Sequence, residues 1–155
     1  MRNLKHLLLI ALAIFSFSCS SEDENPKLVE KSVTIEVEMN GNYADYLVTF
    51  SVHSMLSGTS TFVAPVLDQP TELNWTQVIE QGNTYTLSFE PEVPTISATS
   101  SAPIHSLGLV FNAVHLGGEI DDSFQPLSAT VNILADGKAY RQFEFEAMPP
   151  GEVSV

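Results

Sequence analysis

The sequence predicts an all-β fold, an antiparallel β-sandwich of seven or eight strands. Three observations predict it. From Ser32 to Ala147 apolar residues recur mainly with a period of two. Turn residues, chiefly Gly, Pro and Asn, interrupt that alternation at short intervals. No stretch of the body carries the 3.6-residue apolar period of a useful amphipathic helix.

The first strand is the clearest. Val33, Ile35, Val37 and Met39 alternate with Thr34, Glu36 and Glu38, the pattern of a half-buried strand, and Asn40-Gly41-Asn42 ends it. Tyr46, Val48, Phe50 and Val52 define a second strand, with His53 on its outward face, and Ser57-Gly58-Thr59 turns. Phe62, Ala64 and Val66 suggest a short third strand, which Pro65 confines to a sheet edge or a bulge. Trp75 to Ile79 reads as a short strand or one helical turn, and Gly82-Asn83 turns again. Tyr85, Leu87 and Phe89 make the next strand. Pro91 and Pro94 bracket a loop, Ile96 and Ala98 a weak edge strand, and Ser97 to Pro103 reads as a flexible crossing.

Leu107 to Leu116 is apolar on both faces, which predicts a central strand or one covering a second layer. Gly117-Gly118 ends it. Ala129, Val131 and Ile133 lead into Asp136-Gly137, a tight hairpin signal, and Phe143, Phe145 and Ala147 return antiparallel. Short strands at this spacing fit an immunoglobulin-like layout of two packed sheets, with an eight-stranded β-barrel as the alternative. The sandwich domain spans residues 28–148, with no repeat or internal boundary and a tail over 149–155.

The N-terminus has a different character. Arg2 and Lys5 precede an apolar run from Leu7 to Phe17, and Ser18-Cys19-Ser20 follows. That is the charge, apolar core and small-residue junction of a signal peptide over residues 1–18. Eleven residues are too few to span a membrane, which takes roughly 20. Cys19 is the sole cysteine. The segment resembles a bacterial lipoprotein signal. The resemblance implies cleavage before Cys19 and acylation there by palmitate or similar chains. Ser16 stands where the usual motif has Leu, a looser form familiar from Bacteroidota lipoproteins. Two or more acyl chains anchor a protein stably.

Residues 19–27 then read as an acidic tether, because a charged run without apolar neighbours buries nothing. Its stretch SSEDEN, carrying Ser21, Glu22, Asp23 and Glu24, resembles the export signal of Bacteroidota surface lipoproteins. That resemblance implies a surface-exposed position on the outer membrane, with a periplasm-facing one as the alternative.

Without residues 1–18, four basic residues face all 19 acids, a formal charge of −15. Such a surface repels phosphate backbones and excludes nucleic-acid binding, which needs a basic patch. With Cys19 acylated no thiol remains for a disulfide, a metal or a nucleophile.

The stretches LNWTQVIEQGNTYTLSFE and ATVNILADGKAYRQFEFEA resemble a lipoprotein group distantly similar to the mycobacterial small membrane proteins that accompany lipid transporters. The resemblance implies an extracytoplasmic sandwich without catalytic residues, and residues 91–126 fall outside it.

Candidate chemistry is sparse. His53, His105 and His115 accompany no G-x-S-x-G elbow, so a hydrolytic triad is not indicated. His115 falls in register with Leu107 and Phe111, as a buried or edge histidine would. The acids sit mostly at outward strand positions or turns, where they are solvated, rather than in a glycosidase pair. Glu119, Asp121 and Asp122 form the best metal candidate, a weak calcium site in GGEIDDSF, although the D-x-D-x-D-G spacing is missing. The histidines lack the paired spacing of zinc ligands. Trp75 could stack on a glycan, with Tyr43, Tyr46 and Tyr140 as further aromatics; a core-anchoring Trp75 is the favoured reading. The expectation is a non-catalytic binding or structural module at the cell envelope, held to the membrane by lipid, with a protein or glycan partner and no obligatory cofactor. An accessory subunit of an envelope transport or secretion system is the alternative, and a small hydrolase the least favoured reading.

Overall fold

The computed structural model describes residues 28–59, 61–78, 84–117 and 120–147. The signal peptide, Cys19, the tether with Ser21, Glu22, Asp23 and Glu24, the Gly82-Asn83 turn, Glu119 and the tail over 149–155 lie outside the described residues.

The period-two segments become nine strands: β1 (Val33–Asn40), β2 (Tyr46–Leu56), β3 (Pro65–Gln69), β4 (Thr76–Val78), β5 (Thr84–Phe89), β6 (Thr95–Ser100), β7 (Ser106–His115), β8 (Ser128–Ala135) and β9 (Lys138–Glu146). They form two antiparallel sheets, a five-stranded one in the order β3-β6-β1-β8-β9 and a four-stranded one in the order β4-β5-β2-β7. No closed barrel forms. Nine strands rather than seven or eight arise because both doubtful segments, Thr76–Val78 and Thr95–Ser100, are strands. Within the two-sheet layout the chain winds through nested pairs: β4 with β5, β3 with β6, β2 with β7 and β1 with β8.

Alternation decides which face is buried. Along β1, Val33, Ile35, Val37 and Met39 point inward while Glu36 and Glu38 stay exposed. Ile35 pairs with Ile133 and Val37 with Val131 on β8. Across the sandwich, Tyr46, Val48, Phe50 and Val52 of β2 are fully buried. Phe50 lies between Leu87 of β5 and Phe111 of β7. Each such side chain contributes about 1.5–3 kcal/mol on burial.

Three expectations change. β6 is an interior strand between β3 and β1, with Ile96 and Ala98 buried, so it is neither a weak edge nor part of a flexible crossing. It pairs with β1 on one side and β3 on the other, and Thr34 and Thr99 hydrogen-bond on the outer face at 3.1 Å. β7 is an edge strand, not a central one. Its inward Leu107, Leu109 and Phe111 pack on the core, while outward Val110 and Val114 are exposed, so the second apolar stripe covers no further layer among the described residues. Phe62 makes an isolated bridge to Leu56 instead of joining β3. The Pro65 strand is an edge with a register shift between Leu67 and Gln69, as its proline requires.

The hairpin joining β8 and β9 turns at Asp136 (φ 50°) and Gly137 (φ 72°), the positive pair of a type I′ turn. The link from β6 to β7 crosses between the sheets at one end of the sandwich. There Ile104 is buried and exchanges two 2.9 Å backbone hydrogen bonds with Lys31, and His105 N–H donates to the Leu56 carbonyl at 2.8 Å.

Candidate functional site

Beside that crossing, the edges of the two sheets splay apart. β7 closes one sheet and β9 the other. Further along, Phe111 and Phe145 meet edge-to-face with centroids 5.0 Å apart. Next to the crossing lies an open cleft of about 710 Å³. That is the size of a small-molecule site, roughly 300–1,000 Å³. One wall is Leu107 and Leu109 of β7, the other Ile133, Ala135 and Phe143 of the β8–β9 hairpin, and Val33 and Ile104 back it.

The polar groups converge at the mouth. Lys31, His105, Tyr140 and Arg141 are among the lining residues, which include no acid among the described residues, although Asp136 sits against Lys31. Register explains Arg141. It pairs with Ile133, whose side chain is buried, so Arg141 lies on the inward parity of β9 with Phe143 and Phe145. A bulge between Ile133 and Leu134 leaves Tyr140 as the extra residue, with Arg141 Cζ 6.0 Å from its ring centroid. Lys31 is engaged by Asp136, whose carboxyl is held below its ordinary value by that hydrogen bond and by the Ser32 N–H. Arg141 has no carboxylate partner among the described residues. His105 Nδ1 is buried and has no hydrogen-bond partner there either.

Trp75 is half-buried against the core, 5.7 Å from Phe50 between centroids, and its buried Nε1 has no partner among the described residues. The contact with Phe50 fits the core-anchoring role. Tyr46 is fully buried under His115, which also meets Phe124 edge-to-face. His115 Nδ1 accepts a hydrogen bond from Gly117 N–H at 3.2 Å, the satisfied edge histidine that its register suggests. His53 lies on the outer face of β2, opposite Gly108.

In the loop after β7, Asp121 and Asp122 are exposed. Asp121 Oδ1 accepts from Ser123 N–H at 2.8 Å and from its hydroxyl at 2.6 Å, which holds the Asp121 carboxyl below its ordinary value. That carboxylate already organises its own turn. Among the described residues no three His, Cys, Asp or Glu side chains gather at metal-binding distance.

The cleft and Arg141 escape the sequence reading, which marks only Phe143, Phe145 and Ala147 as inward. The available signal is parity: a lone arginine two residues before Phe143 on the inward face of an acidic chain.

No family model matches the chain, and no curated protein does. Two solved structures share its fold. A DUF4425 family protein from Bacteroides ovatus ATCC 8483 superposes with a TM-score of 0.56 at 15% identity, covering 80% of this chain and 89% of its own. The calcium-bound form of a protein from Parabacteroides distasonis superposes with a TM-score of 0.55 at 14% identity, covering 81% and 86%. At these identities the likeness establishes the shared sandwich fold.

Proposed function

We propose that the chain is a lipid-anchored, extracytoplasmic β-sandwich module with a non-catalytic binding or structural role at the cell envelope. The observation that carries the reading is the position of the sole cysteine, directly after a charged and apolar leader and directly before an acidic run. The all-β body supports it. A sandwich that ends in an open cleft with an apolar lining and a polar mouth suits capture of a partner. Fold relatives in Bacteroides and Parabacteroides accord with the Bacteroidota-type signal. Under this reading acidic residues 22–24 direct the protein to the outer face of the outer membrane, where it meets an envelope protein or a glycan.

The test is chemical. Metabolic labelling with an alkynyl fatty acid tags the wild-type protein and leaves Cys19→Ala unlabelled. Protease added to intact cells then removes the labelled protein if it faces outward. A mature polypeptide with an unmodified Cys19 sinks the reading. Persistence under external protease places the protein on the periplasmic side, where an accessory role in transport or secretion becomes the better account.

A second reading concerns calcium at the 117–124 loop. Its support is the calcium-bound state of the Parabacteroides distasonis protein and the two exposed aspartates. Calcium takes six to eight oxygens, and Asp121 Oδ2, which Ser123 does not engage, is available to supply one. Calorimetric titration of calcium into wild type and Asp121→Asn/Asp122→Asn decides it. Identical heats remove the site.

A further inference from the structure

We propose that the cleft between β7 and β9 binds a single-chain amphiphile with a carboxylate head, a free fatty acid, with the head on Arg141 and the tail between the sheets. The proposal rests on the reading of the chain as a binding module and names the class of ligand. Three independent features of the cleft support it.

The first is its lining. Leu107, Leu109, Ile133 and Phe143 present apolar side chains to an open space, where a sandwich ordinarily closes on itself. Phe143 is 45% exposed although it has the inward parity of its strand. An unbranched hydrocarbon entering here would cover these apolar side chains. A cleft of about 710 Å³ lies within the roughly 300–1,000 Å³ range of small-ligand sites and accommodates a medium-length chain such as decanoate.

The second is charge. Only three Lys or Arg side chains are described, Lys31, Lys138 and Arg141, and two of them line this cleft. Lys31 is engaged by Asp136, which leaves Arg141 to receive an anion. A guanidinium presents a planar fork that matches a carboxylate. Arg141 has no carboxylate partner among the described residues, so a negative head is favoured beside it on an otherwise acidic surface. The third feature is His105, whose buried Nδ1 lacks a partner at the edge of the same cleft.

Calorimetric titration of the purified protein with decanoate and with 1-decanol tests the proposal. Decanoate is expected to bind saturably at one site, at least tenfold more tightly than the alcohol. Arg141→Gln is expected to weaken decanoate roughly tenfold or more, and to leave the alcohol unchanged. Arg141 is exposed, so this substitution keeps the fold, which circular dichroism checks. Lys138→Gln, which removes a cation outside the cleft lining, is expected to change neither ligand. No saturable decanoate binding overturns the proposal, as does equal affinity for acid and alcohol, or an equal loss in Lys138→Gln. Binding to phosphatidylglycerol vesicles without binding to decanoate also overturns it and points to a membrane surface. Chemical conversion of a bound ligand, read by chromatography, would instead defeat the non-catalytic reading. Mere failure to bind decanoate leaves that reading standing with another partner.

Discussion

The imidazole of His53 fills the space that a side chain at residue 108 would need. The two residues face each other across β2 and β7, and a Cβ at Gly108 would lie 2.6 Å from the His53 ring. Gly108→Ala forces the ring aside, at a cost of about 1–3 kcal/mol in line with other overpacked sites. His53→Ala in that background is expected to restore most of the loss. Denaturant unfolding of the two single variants and the double variant measures the coupling. Additive effects would mean that the ring yields freely.

Asp136 joins the hairpin to the start of β1 through Lys31 and the Ser32 N–H. Its carboxyl titrates below the ordinary value of 3.8 in the folded chain. The stabilisation is therefore complete above that value, where both states are ionised, and fades as pH falls through the lowered one. Asp136→Asn keeps a residue that tolerates positive φ, whereas Asp136→Ala loses both turn preference and charge. Melting temperatures are expected to fall in the order wild type, Asp136→Asn, Asp136→Ala at pH 7. The gap between wild type and Asp136→Asn should shrink in acid.

Gly41 and Gly117 both hold positive φ, at 77° and 96°, but in different surroundings. A Cβ at Gly41 would come within 2.4 Å of the Pro126 carbonyl oxygen, while at Gly117 it would meet nothing within 4 Å. Gly117→Ala therefore carries only the backbone term, about 1–2 kcal/mol. Gly41→Ala adds a backbone clash and is expected to cost about 3 kcal/mol or more. Urea midpoints of the pair separate the two effects.

Phe111 of β7 and Phe145 of β9 meet between the two sheets. Replacing each by Leu keeps apolar volume and removes the edge-to-face geometry. A double-mutant cycle is expected to return about 0.5–1.5 kcal/mol of coupling. A coupling near zero would mean that the rings contribute through area alone.

Trp75 is the chain's only tryptophan, so intrinsic fluorescence reports on it alone. Packed beside Phe50, it should emit at shorter wavelength in the folded protein than in urea. Oligosaccharide titration should leave the emission unchanged, and a saturable change would return Trp75 to the list of ligand contacts.

Strand positions were legible wherever one face is wet. Glu36 and Glu38 mark β1 as half-buried without ambiguity, and Asp136-Gly137 marks its hairpin. Burial on both faces was harder to read. β6 is interior yet carries Thr, Ser and Ala, because neighbouring strands cover it whatever its own hydrophobicity. β7 carries apolar residues on both faces yet lies at an edge, because exposed apolar residues are common on protein surfaces. The cleft was invisible in the sequence since it depends on which strands end each sheet. Strand order is set by pairings between residues as far apart as Val33 and Ala135, and no local pattern encodes it.

The polypeptide enters the sandwich at the rim of the cleft, where Val29 and Lys31 both contribute to the lining. An acyl group on Cys19 would hold the domain on a leash of nine residues before Leu28, at most about 30 Å when stretched. The same leash would cap the distance between the greasy opening and the leaflet. A fatty acid leaving the bilayer would then have only a short aqueous gap to cross, and delivery would depend on leash length. Inserting a flexible spacer after Glu24 should slow transfer from vesicles and leave binding from solution unaltered.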